Sequence, residues 1–135
     1  MTKMIFVNLP VADVAAATGF YTALGFEKNE TFSNEHASSM QWSDAIVVML
    51  LDHGLFAHFS PKRIIDVRTE TGSLISLSCD SRDEVDALNQ AAIAAGGRQV
   101  HDAEEEGPAY SRAFEDLDGH GWGIVYVDMA AMAGA

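Results

Sequence analysis

Apolar and polar residues follow a strand pattern and then a helix pattern near the start of the chain. Residues 4–11 read MIFVNLPV, which is typical of a β-strand. After Asp13, a possible helix N-cap, apolar residues recur at helical spacing: Val14, Ala17, Tyr21 and Leu24. Gly25 then follows, and glycine commonly ends a helix. The segment therefore predicts a strand and then a helix that stops at Gly25.

The same order recurs in the second half of the chain. Residues 73–79 read SLISLSC and again favour a strand. Ser81 and Glu84 match a capping box, which satisfies backbone N–H groups at a helix start. Apolar residues then return at helical spacing: Val85, Leu88, Ala92 and Ala95. Gly96 and Gly97 end this second predicted helix.

Three short strand candidates follow each predicted helix. In the first half they are residues 26–32, 39–42 and 45–51. In the second half they are residues 98–102, 109–115 and 122–127. Each half therefore has the order βαβββ, which indicates an internal repeat. We expect one domain over residues 1–135, with repeat modules at about residues 1–60 and 70–128.

The connector between the halves, residues 52–72, reads DHGLFAHFSPKRIIDVRTETG. It contains Pro61, charges of both signs and no sustained period, which favours a loop with at most one short helix. A polar or aromatic loop of this length is suited to covering a site.

Charge and composition narrow the possible partners. The 135 residues are 48% hydrophobic, enough for a core, and carry 8 basic against 20 acidic groups, a net charge of −12. Such a surface repels nucleic acid and anionic membranes, so we expect neither as a partner. The apolar run at residues 45–51 is too short to span a bilayer, and residues 1–10 lack signal-peptide features, so we expect a cytoplasmic protein. The single cysteine, Cys79, is expected to be a small buried side chain.

Three local strings on this duplicated frame, FVNLPVADV, FYTALGF and DLDGHGW, carry a resemblance to a known family. Together they resemble the vicinal oxygen chelate superfamily, also called the glyoxalase/bleomycin-resistance/dioxygenase family, from about Met4 to Val127. The resemblance implies an α+β fold in which two βαβββ modules pair curved sheets around a cup. It also implies a homodimer. Members include lyases, ring-cleaving dioxygenases, antibiotic-modifying enzymes and non-catalytic drug binders, so the fold alone does not choose a function.

Metal-dependent members of the family hold an ion with His, Glu or Gln at four strand positions. By the resemblance these positions are Phe6, Leu50, Leu74 and Gly123 in this chain. None of these side chains offers the nitrogen or oxygen donor that such an ion needs. We therefore predict no metal and no other cofactor. If a metal bound elsewhere, the donors to test first are His36, Asp52, His53, His58 and His120.

The segment DLDGHGWG superficially resembles a calcium loop. Asp116 and Asp118 are followed by His120, and Val127 stands where the bidentate glutamate of such a loop belongs. We interpret residues 116–121 as a turn that leads into the last strand. The missing side chain of Gly123 suggests space that has opened at a lost ligand position.

Alternation along a strand predicts which residues share the cup face. If Phe6, Leu50 and Leu74 face the cup, the residues two positions further along each strand do so too. These residues are Asn8, Asp52 and Ser76. The opposite parity is almost wholly apolar and predicts a helix-covered face: Ile5, Val7, Leu9, Val47, Met49, Leu51, Ile75, Leu77, Cys79, Trp122, Ile124 and Tyr126. Tyr110 and Arg112 share a face of their strand and would anchor a polar or anionic ligand if that face is the inner one.

The mixed cup favours a metal-independent protein that binds or sequesters a small organic molecule. The predicted ligand-binding residues are Phe6, Asn8, Leu50, Asp52, Leu74, Ser76, Tyr110, Arg112 and Gly123. One alternative is an enzyme, a lyase or dioxygenase with a relocated metal or a metal-free catalyst with Asp52 as the base. Two others are an interaction module and a cup filled by its own Phe6, Leu50 and Leu74.

Overall fold

The computed structural model describes residues 2–130, and the chain divides into two compact units, Met1–Asp66 and Val67–Ala135. Unit 1 and unit 2 each contain one four-stranded mixed sheet and the element order βαβββ. The predicted α+β class with two βαβββ modules is therefore confirmed. Within residues 2–130, no helix is long and apolar enough to cross a membrane.

Unit 1 contains β1 (Ile5–Val11), α1 (Val14–Ala23), β2 (Glu27–Lys28), β3 (Ala37–Gln41), β4 (Ile46–Asp52) and α2 (His53–Phe59). Its sheet has the order β1-β4-β3-β2, with β1 parallel to β4 and the other pairs antiparallel. Helix α1 starts as predicted, because the Asp13 carboxylate accepts a hydrogen bond from the Ala16 N–H at 3.0 Å. The one short helix expected in the connector is α2.

The strand predicted at residues 26–32 is wrong beyond Lys28. The Asn29 side chain accepts a hydrogen bond from the Thr31 N–H at 3.1 Å and starts a 3₁₀ turn over Glu30–Phe32. Asparagine commonly competes with sheet pairing in this way, because its side chain bonds nearby backbone groups.

One face of the unit 1 sheet carries the core of this unit. The register pairs Val7 with Val48 and Leu9 with Leu50, and both Val48 and Leu50 are fully buried. Helix α1 packs against β3 and β4. It brings in Tyr21, whose ring meets the ring of Phe26 edge-on at 5.2 Å between centroids.

Unit 2 contains β5 (Ile75–Ser78), α3 (Arg82–Ala94), β6 (Arg98–Glu106), β7 (Ala109–Glu115) and β8 (Gly121–Val127). Its sheet has the order β5-β8-β7-β6, with β5 parallel to β8. The predicted capping box forms at α3. Ser81 Oγ accepts from the Glu84 N–H at 3.1 Å, and the Glu84 carboxylate accepts from the Asp80 N–H at 2.8 Å.

The two faces of the unit 2 sheet differ in chemistry. Leu77, Trp122 and Ile124 are buried on the face where α3 packs, as the sequence predicts. The register places Ser76, Gly123 and Val125 on the opposite face. This second face therefore carries smaller and more polar side chains than the helix-covered one.

Strand β6 is the outermost strand of this sheet and differs from the prediction. The strand predicted at residues 98–102 is longer in the structure, because it continues through the acidic run after His101 to Glu106. Two register irregularities flank His101, and nearly the whole strand is exposed. An exposed edge strand tolerates charged side chains, so the acidic composition did not exclude a strand.

Candidate functional site

A cavity of about 520 Å³ lies on the open face of the unit 2 sheet. Its floor is formed by three neighbouring strands and consists of small residues: Ser76, Ser111, Ala113, Gly121 and Gly123. Because these side chains are short, the cavity approaches the sheet backbone closely. Two hydroxyl groups and the peptide planes are the groups that this floor presents to a ligand.

The walls of the cavity combine apolar and polar side chains. Leu74 and Val100 are exposed, with Leu74 80% accessible, and both line the cavity. His101 and Glu115 also border it, and the Glu115 carboxylate accepts a hydrogen bond from Arg98 Nη2 at 2.7 Å. Apolar walls with a few polar groups are the usual composition of a small-molecule pocket.

Residues 67–71, here called the strap, form a further wall of the cavity. They are the end of the connector that was expected to cover a site. Arg68 ties the strap to the turn before β8, because its Nη2 donates to the Leu117 carbonyl at 2.9 Å. Gly119 in the same turn has a φ of +107°, and a Cβ atom there would lie 2.9 Å from the Val67 carbonyl oxygen. The strap and the turn are therefore in direct backbone contact.

The turn itself is held by the buried Asp116 carboxylate. Its Oδ1 accepts from the backbone N–H groups of Asp118, Gly119 and His120 at 3.0, 3.0 and 2.9 Å. A carboxylate with several N–H donors fixes a turn without a metal ion. The interpretation of residues 116–121 as a turn leading into the last strand is confirmed.

Four of the residues proposed from the sequence border this cavity: Leu74, Ser76, Arg112 and Gly123. The register places Ser76 directly beside Gly123. The space expected at Gly123 is partly taken by Ser76, whose Oγ would lie 2.5 Å from a Cβ atom on residue 123. The glycine thus accommodates a neighbouring side chain as well as opening the floor.

Tyr110 and Arg112 point to the helix-covered face instead. The Tyr110 hydroxyl and Arg112 Nε both donate to Asp86 Oδ1 of α3 at 2.6 Å. These two hydrogen bonds, that of Tyr110 first, lower the pKa of the Asp86 carboxyl, and the same contact raises the pKa of Tyr110. Arg112 borders the cavity, but its guanidinium is engaged with Asp86. Their expected role as ligand anchors lacks support from this geometry.

The sequence assigned Phe6 and Leu50 to one cup face, and the structure contradicts this. The register pairs Phe6 with Val47 and Asn8 with Met49, whereas Leu50 lies beside Leu9 on the other face. Alternation shows which residues of one strand share a face. It does not show how two strands are aligned, so it cannot say which residues of different strands share a face. Phe6 is 55% exposed and Leu50 is fully buried, as opposite faces require.

A second cavity of about 470 Å³ lies in unit 1. It is lined by Asn8, Leu51, Phe56, Phe59 and Ser60, so Asn8 is the one proposed residue that borders it. Helix α2 supplies both phenylalanines. This cavity lies on the sheet face opposite Leu50.

Asp52, the candidate base, has two structural partners. Its Oδ1 accepts from the Leu55 N–H at 2.8 Å and caps α2, and its Oδ2 lies 2.6 Å from His36 Nδ1. The Leu55 bond first, and then His36, lower the pKa of Asp52, while the bond with Asp52 raises the pKa of His36. A carboxylate with a lowered pKa is a weaker base, and Asp52 does not border the unit 1 cavity.

The residues at the family's metal positions do not fit an ion. Phe6, Leu50, Leu74 and Gly123 offer no donor, and Ser76 lies against Gly123. Of the other candidate donors, His36 is paired with Asp52, and the His58 ring stacks edge-on against Phe59 at 5.3 Å. Across residues 2–130, no group of three His, Cys, Asp or Glu side chains is arranged to hold a metal.

Sequence reasoning missed most of the cavity floor. Ser111 and Ala113 on β7 and Gly121 on β8 line it but were not proposed. A signal was available, since small residues alternate on both strands as S-x-A and G-x-G. Period-two spacing of small residues places them on one sheet face, where they leave room above the backbone.

Comparison with known proteins agrees with this fold. Residues 3–38 match the family model described as bleomycin resistance protein-like N-terminal. A hypothetical protein from S. aureus is 28% identical, with a TM-score of 0.79 and coverage of 93% of this chain and 94% of that chain. A glyoxalase/bleomycin resistance protein/dioxygenase family enzyme from Burkholderia phytofirmans PsJN is 22% identical, with a TM-score of 0.76 and coverage of 94% and 100%. No curated protein matches the chain significantly.

A genomically encoded fosfomycin resistance protein from Listeria monocytogenes has the same fold at 17% identity, with a TM-score of 0.68 and coverage of 97% of this chain and 98% of that chain. The duplicated βαβββ architecture thus defines a protein of the glyoxalase/bleomycin-resistance/dioxygenase fold. The resemblance of this chain to the vicinal oxygen chelate superfamily is confirmed, and residues 3–38 within its first module match the bleomycin resistance protein-like model.

Proposed function

We propose that this protein binds and sequesters a small organic molecule in the unit 2 cavity, without a metal ion. The observation that carries the proposal is the cavity of about 520 Å³, with its apolar walls and polar floor groups. Small-molecule pockets typically measure roughly 300–1,000 Å³ and have this mixed lining. The residues that the sequence proposal and the cavity lining share are Leu74, Ser76, Arg112 and Gly123. Of these, Leu74, Ser76 and Gly123 are the proposed ligand contacts, because the Arg112 guanidinium is paired with Asp86.

Metal independence is supported by the chemistry of the four family positions. Two leucines, a phenylalanine and a glycine replace the expected donors, and a hydroxyl group lies against the glycine. An ion bound there would lack the side-chain ligands that hold divalent metals in proteins. The names of the similar proteins, which refer to bleomycin and fosfomycin resistance, favour a small organic ligand.

Sequestration is favoured over catalysis by Asp52, the base proposed from the sequence, because both oxygens of its carboxylate have structural partners. Its Oδ1 caps α2 and its Oδ2 pairs with His36, so the carboxylate is engaged within unit 1. A general base must reach the proton that it removes, directly or through one water. The enzyme alternative would therefore require a different base.

A thermal-shift and equilibrium-dialysis screen of aromatic and peptide-like compounds tests the proposal. A ligand that binds the native state raises the melting temperature. At a ligand concentration of a hundred times Kd, it adds about 2.7 kcal/mol to the free energy of unfolding. We expect hits with the wild type and with Ala87→Leu, an exposed control on α3. Ala113→Leu, which fills the cavity floor, should abolish them. The proposal fails if no compound binds, or if binding survives Ala113→Leu unchanged.

Metal dependence is tested on the same hits. Dialysis against a chelator should leave the melting temperature and the affinity of each hit unchanged. Added nickel, zinc, manganese or iron should not stabilise the protein. A hit that binds only after metal addition would show that a relocated metal site is used and would favour the enzyme alternative.

We also propose that the protein acts in the cytoplasm as a homodimer. The dimer is supported by exposed apolar side chains of one parity at the start of β1, where Met4 is 45% and Phe6 is 55% accessible. Neighbouring exposed apolar residues commonly mark an interaction surface. Size exclusion with light scattering should give twice the mass of one chain, and Phe6→Glu should give the mass of a single chain.

A further inference from the structure

A break in the register of β6 turns His101 to the face of the sheet that carries the unit 2 cavity. Gln99 lies on the helix-covered face, because its Oε1 accepts a hydrogen bond from Asn89 Nδ2 of α3 at 3.0 Å. Regular alternation would place His101, the next residue but one, on that same face. The register is irregular between Gln99 and His101, however, and His101 pairs with Ala113 of β7. Directly paired residues on neighbouring strands share a face.

The face that Ala113 shares with His101 is the cavity side. The neighbour of Ala113, Arg112, reaches Asp86 of α3, so alternation turns Ala113 away from the helix. Both Ala113 and His101 line the cavity. A β-bulge commonly redirects one side chain and is frequent beside functional sites. The irregularity in β6 thus supplies the cavity with a histidine that simple alternation would assign to the helix side.

The hydrogen bonding of His101 gives each ring nitrogen a separate role. Nδ1 lies 2.7 Å from the backbone carbonyl oxygen of Asp102, and a carbonyl oxygen can only accept, so Nδ1 carries the hydrogen. In the neutral imidazole the other nitrogen, Nε2, is then an acceptor. Glu104 Oε1 is 3.8 Å from Nδ1, too far for a hydrogen bond, and Nε2 has no hydrogen-bond partner among residues 2–130. The side chain is 40% accessible, so a ligand in the cavity can reach it.

The other polar side chains on this face of the sheet have different hydrogen-bonding roles. Glu115 Oε1 accepts from Arg98 Nε and Nη2 at 3.2 and 2.7 Å. The hydroxyl groups of Ser76 and Ser111 can each donate as well as accept. The Nε2 atom of His101 differs from these groups, because it is an uncharged acceptor that carries no hydrogen of its own.

We propose that His101 is a specificity-determining residue of the unit 2 cavity, where its Nε2 accepts a hydrogen bond from an O–H or N–H group of the ligand. The inference rests on the proposed function of this cavity. The ligand class is then an apolar molecule with a hydrogen-bond donor, such as a phenol or an arylamine, whose carbon frame contacts the apolar walls at Leu74 and Val100. A ligand without a donor displaces water from Nε2 and leaves it unpaired, so it binds more weakly.

Two probes with the same ring system separate hydrogen-bond donation from hydrophobicity. They are 2-naphthol, whose oxygen carries a hydrogen, and 2-methoxynaphthalene, whose oxygen can only accept. The ether has more apolar surface, so hydrophobicity alone would favour it. We expect the wild type to bind 2-naphthol about tenfold more tightly in isothermal calorimetry, which is the upper range for one net hydrogen bond.

Substitution of His101 tests whether this residue is the acceptor. His101→Phe keeps a ring and removes both nitrogens, so the preference for 2-naphthol should fall to within about twofold. His53→Phe, at an exposed histidine that begins α2 in unit 1, is the matched control and should keep the wild-type preference. His101→Gln restores a side-chain acceptor and should recover part of the preference.

Nuclear magnetic resonance of the wild type tests the same contact if His101→Phe does not fold. Long-range ¹H–¹⁵N spectra should show His101 with its hydrogen on Nδ1. The Nε2 resonance should then shift more on addition of 2-naphthol than on addition of 2-methoxynaphthalene. A hydrogen on Nε2 in the neutral ring, or equal shifts with the two probes, would contradict the proposed role.

The outcomes separate this inference from the proposed function. Equal binding of both probes by the wild type, or a preference that His101→Phe retains, would overturn the role of His101 and leave small-molecule binding intact. Binding of screened compounds but of neither probe would also overturn it. If neither the screened compounds nor the probes bind the wild type, the proposed function itself fails.

Discussion

The hydroxyl of Ser76 occupies space that any side chain on residue 123 would need. A Cβ atom on Gly123 would lie 2.5 Å from Ser76 Oγ and 3.4 Å from Ser76 Cβ. We expect Gly123→Ala to lower the free energy of unfolding by about 1–2 kcal/mol, because the Ser76 side chain must leave its present rotamer. Urea denaturation followed by circular dichroism measures the change.

A double-mutant cycle isolates this contact. Ser76→Ala removes the oxygen that Gly123→Ala would meet, so the double variant should recover most of the loss. The coupling between the two positions should be about 0.5–2 kcal/mol. Strictly additive effects would show that Ser76 and Gly123 do not share this space.

The pair of His36 and Asp52 predicts a pH dependence of stability. The raised pKa of His36 means that its contribution is complete below the unfolded value near 6.5 and is lost as the pH rises through the higher folded value. The lowered pKa of Asp52 means that its contribution is present above 3.8 and is lost as the pH falls through the lower folded value. The pair therefore stabilises most between these limits.

His36→Gln should reduce the urea midpoint most at about pH 4–6 and progressively less above pH 7. His58→Gln, an exposed histidine of α2, is the control and should not reproduce this profile. An NMR titration of His36 gives a second readout, because Asp52→Asn should lower its pKa toward 6.5. An unchanged His36 titration in Asp52→Asn would contradict the pairing.

Asp86 of α3 contacts Tyr110 and Arg112 of β7, and this contact affects both the titration of Tyr110 and the stability of the protein. Asp86→Asn replaces the carboxylate whose hydrogen bond with the Tyr110 hydroxyl raises the pKa of Tyr110, so the phenol should ionise nearer to 10.0. Ultraviolet titration measures this, and Tyr110→Phe identifies its signal among the three tyrosines. Asp86→Ala should also lower the urea midpoint, because Arg112 loses its carboxylate partner. Asp83→Asn, in the exposed first turn of α3, is the control and should leave the Tyr110 titration unchanged.

Cys79 is expected to be unreactive in the native state. The side chain is buried, and burial raises the pKa of its thiol from 9.0 to about 11. The thiolate fraction at pH 8 is then about a hundredfold lower than in the unfolded chain, before access is considered. Disulfide-exchange labelling should be slow in buffer and fast in urea. Rapid stoichiometric labelling of the folded protein would contradict this burial.

The order of elements can be predicted from sequence because its signals are local. Asp13 and Ser81 cap the two longer helices as predicted, and Gly25 and Gly96 follow the helix ends with positive φ. These features depend on residues a few positions apart, so no knowledge of the partner strands is needed. Asn29 is the exception, since its side chain replaced the expected strand with a turn.

The candidate site is only partly predictable because it depends on contacts between distant segments. Ser76 and Gly123 were assigned to one face and do lie side by side, but Phe6 and Leu50 were assigned to one face and lie on opposite faces. Both assignments were made from alternation along the strands. They had different outcomes because alternation does not show how two strands are aligned. The partner of Tyr110 and Arg112 lies on α3, so its identity could not be inferred from β7 alone.

The acidic edge strand β6 has a consequence for the behaviour of concentrated protein. Backbone groups at a sheet edge can pair with a strand of another molecule and start aggregation. Glu104, Glu105 and Glu106 are exposed on this strand, and the register irregularities around His101 interrupt its regular ladder. Repulsion between two such edges keeps molecules apart at neutral pH. The acidic side chains of this one strand therefore protect its backbone from the edge-to-edge pairing that it would otherwise allow.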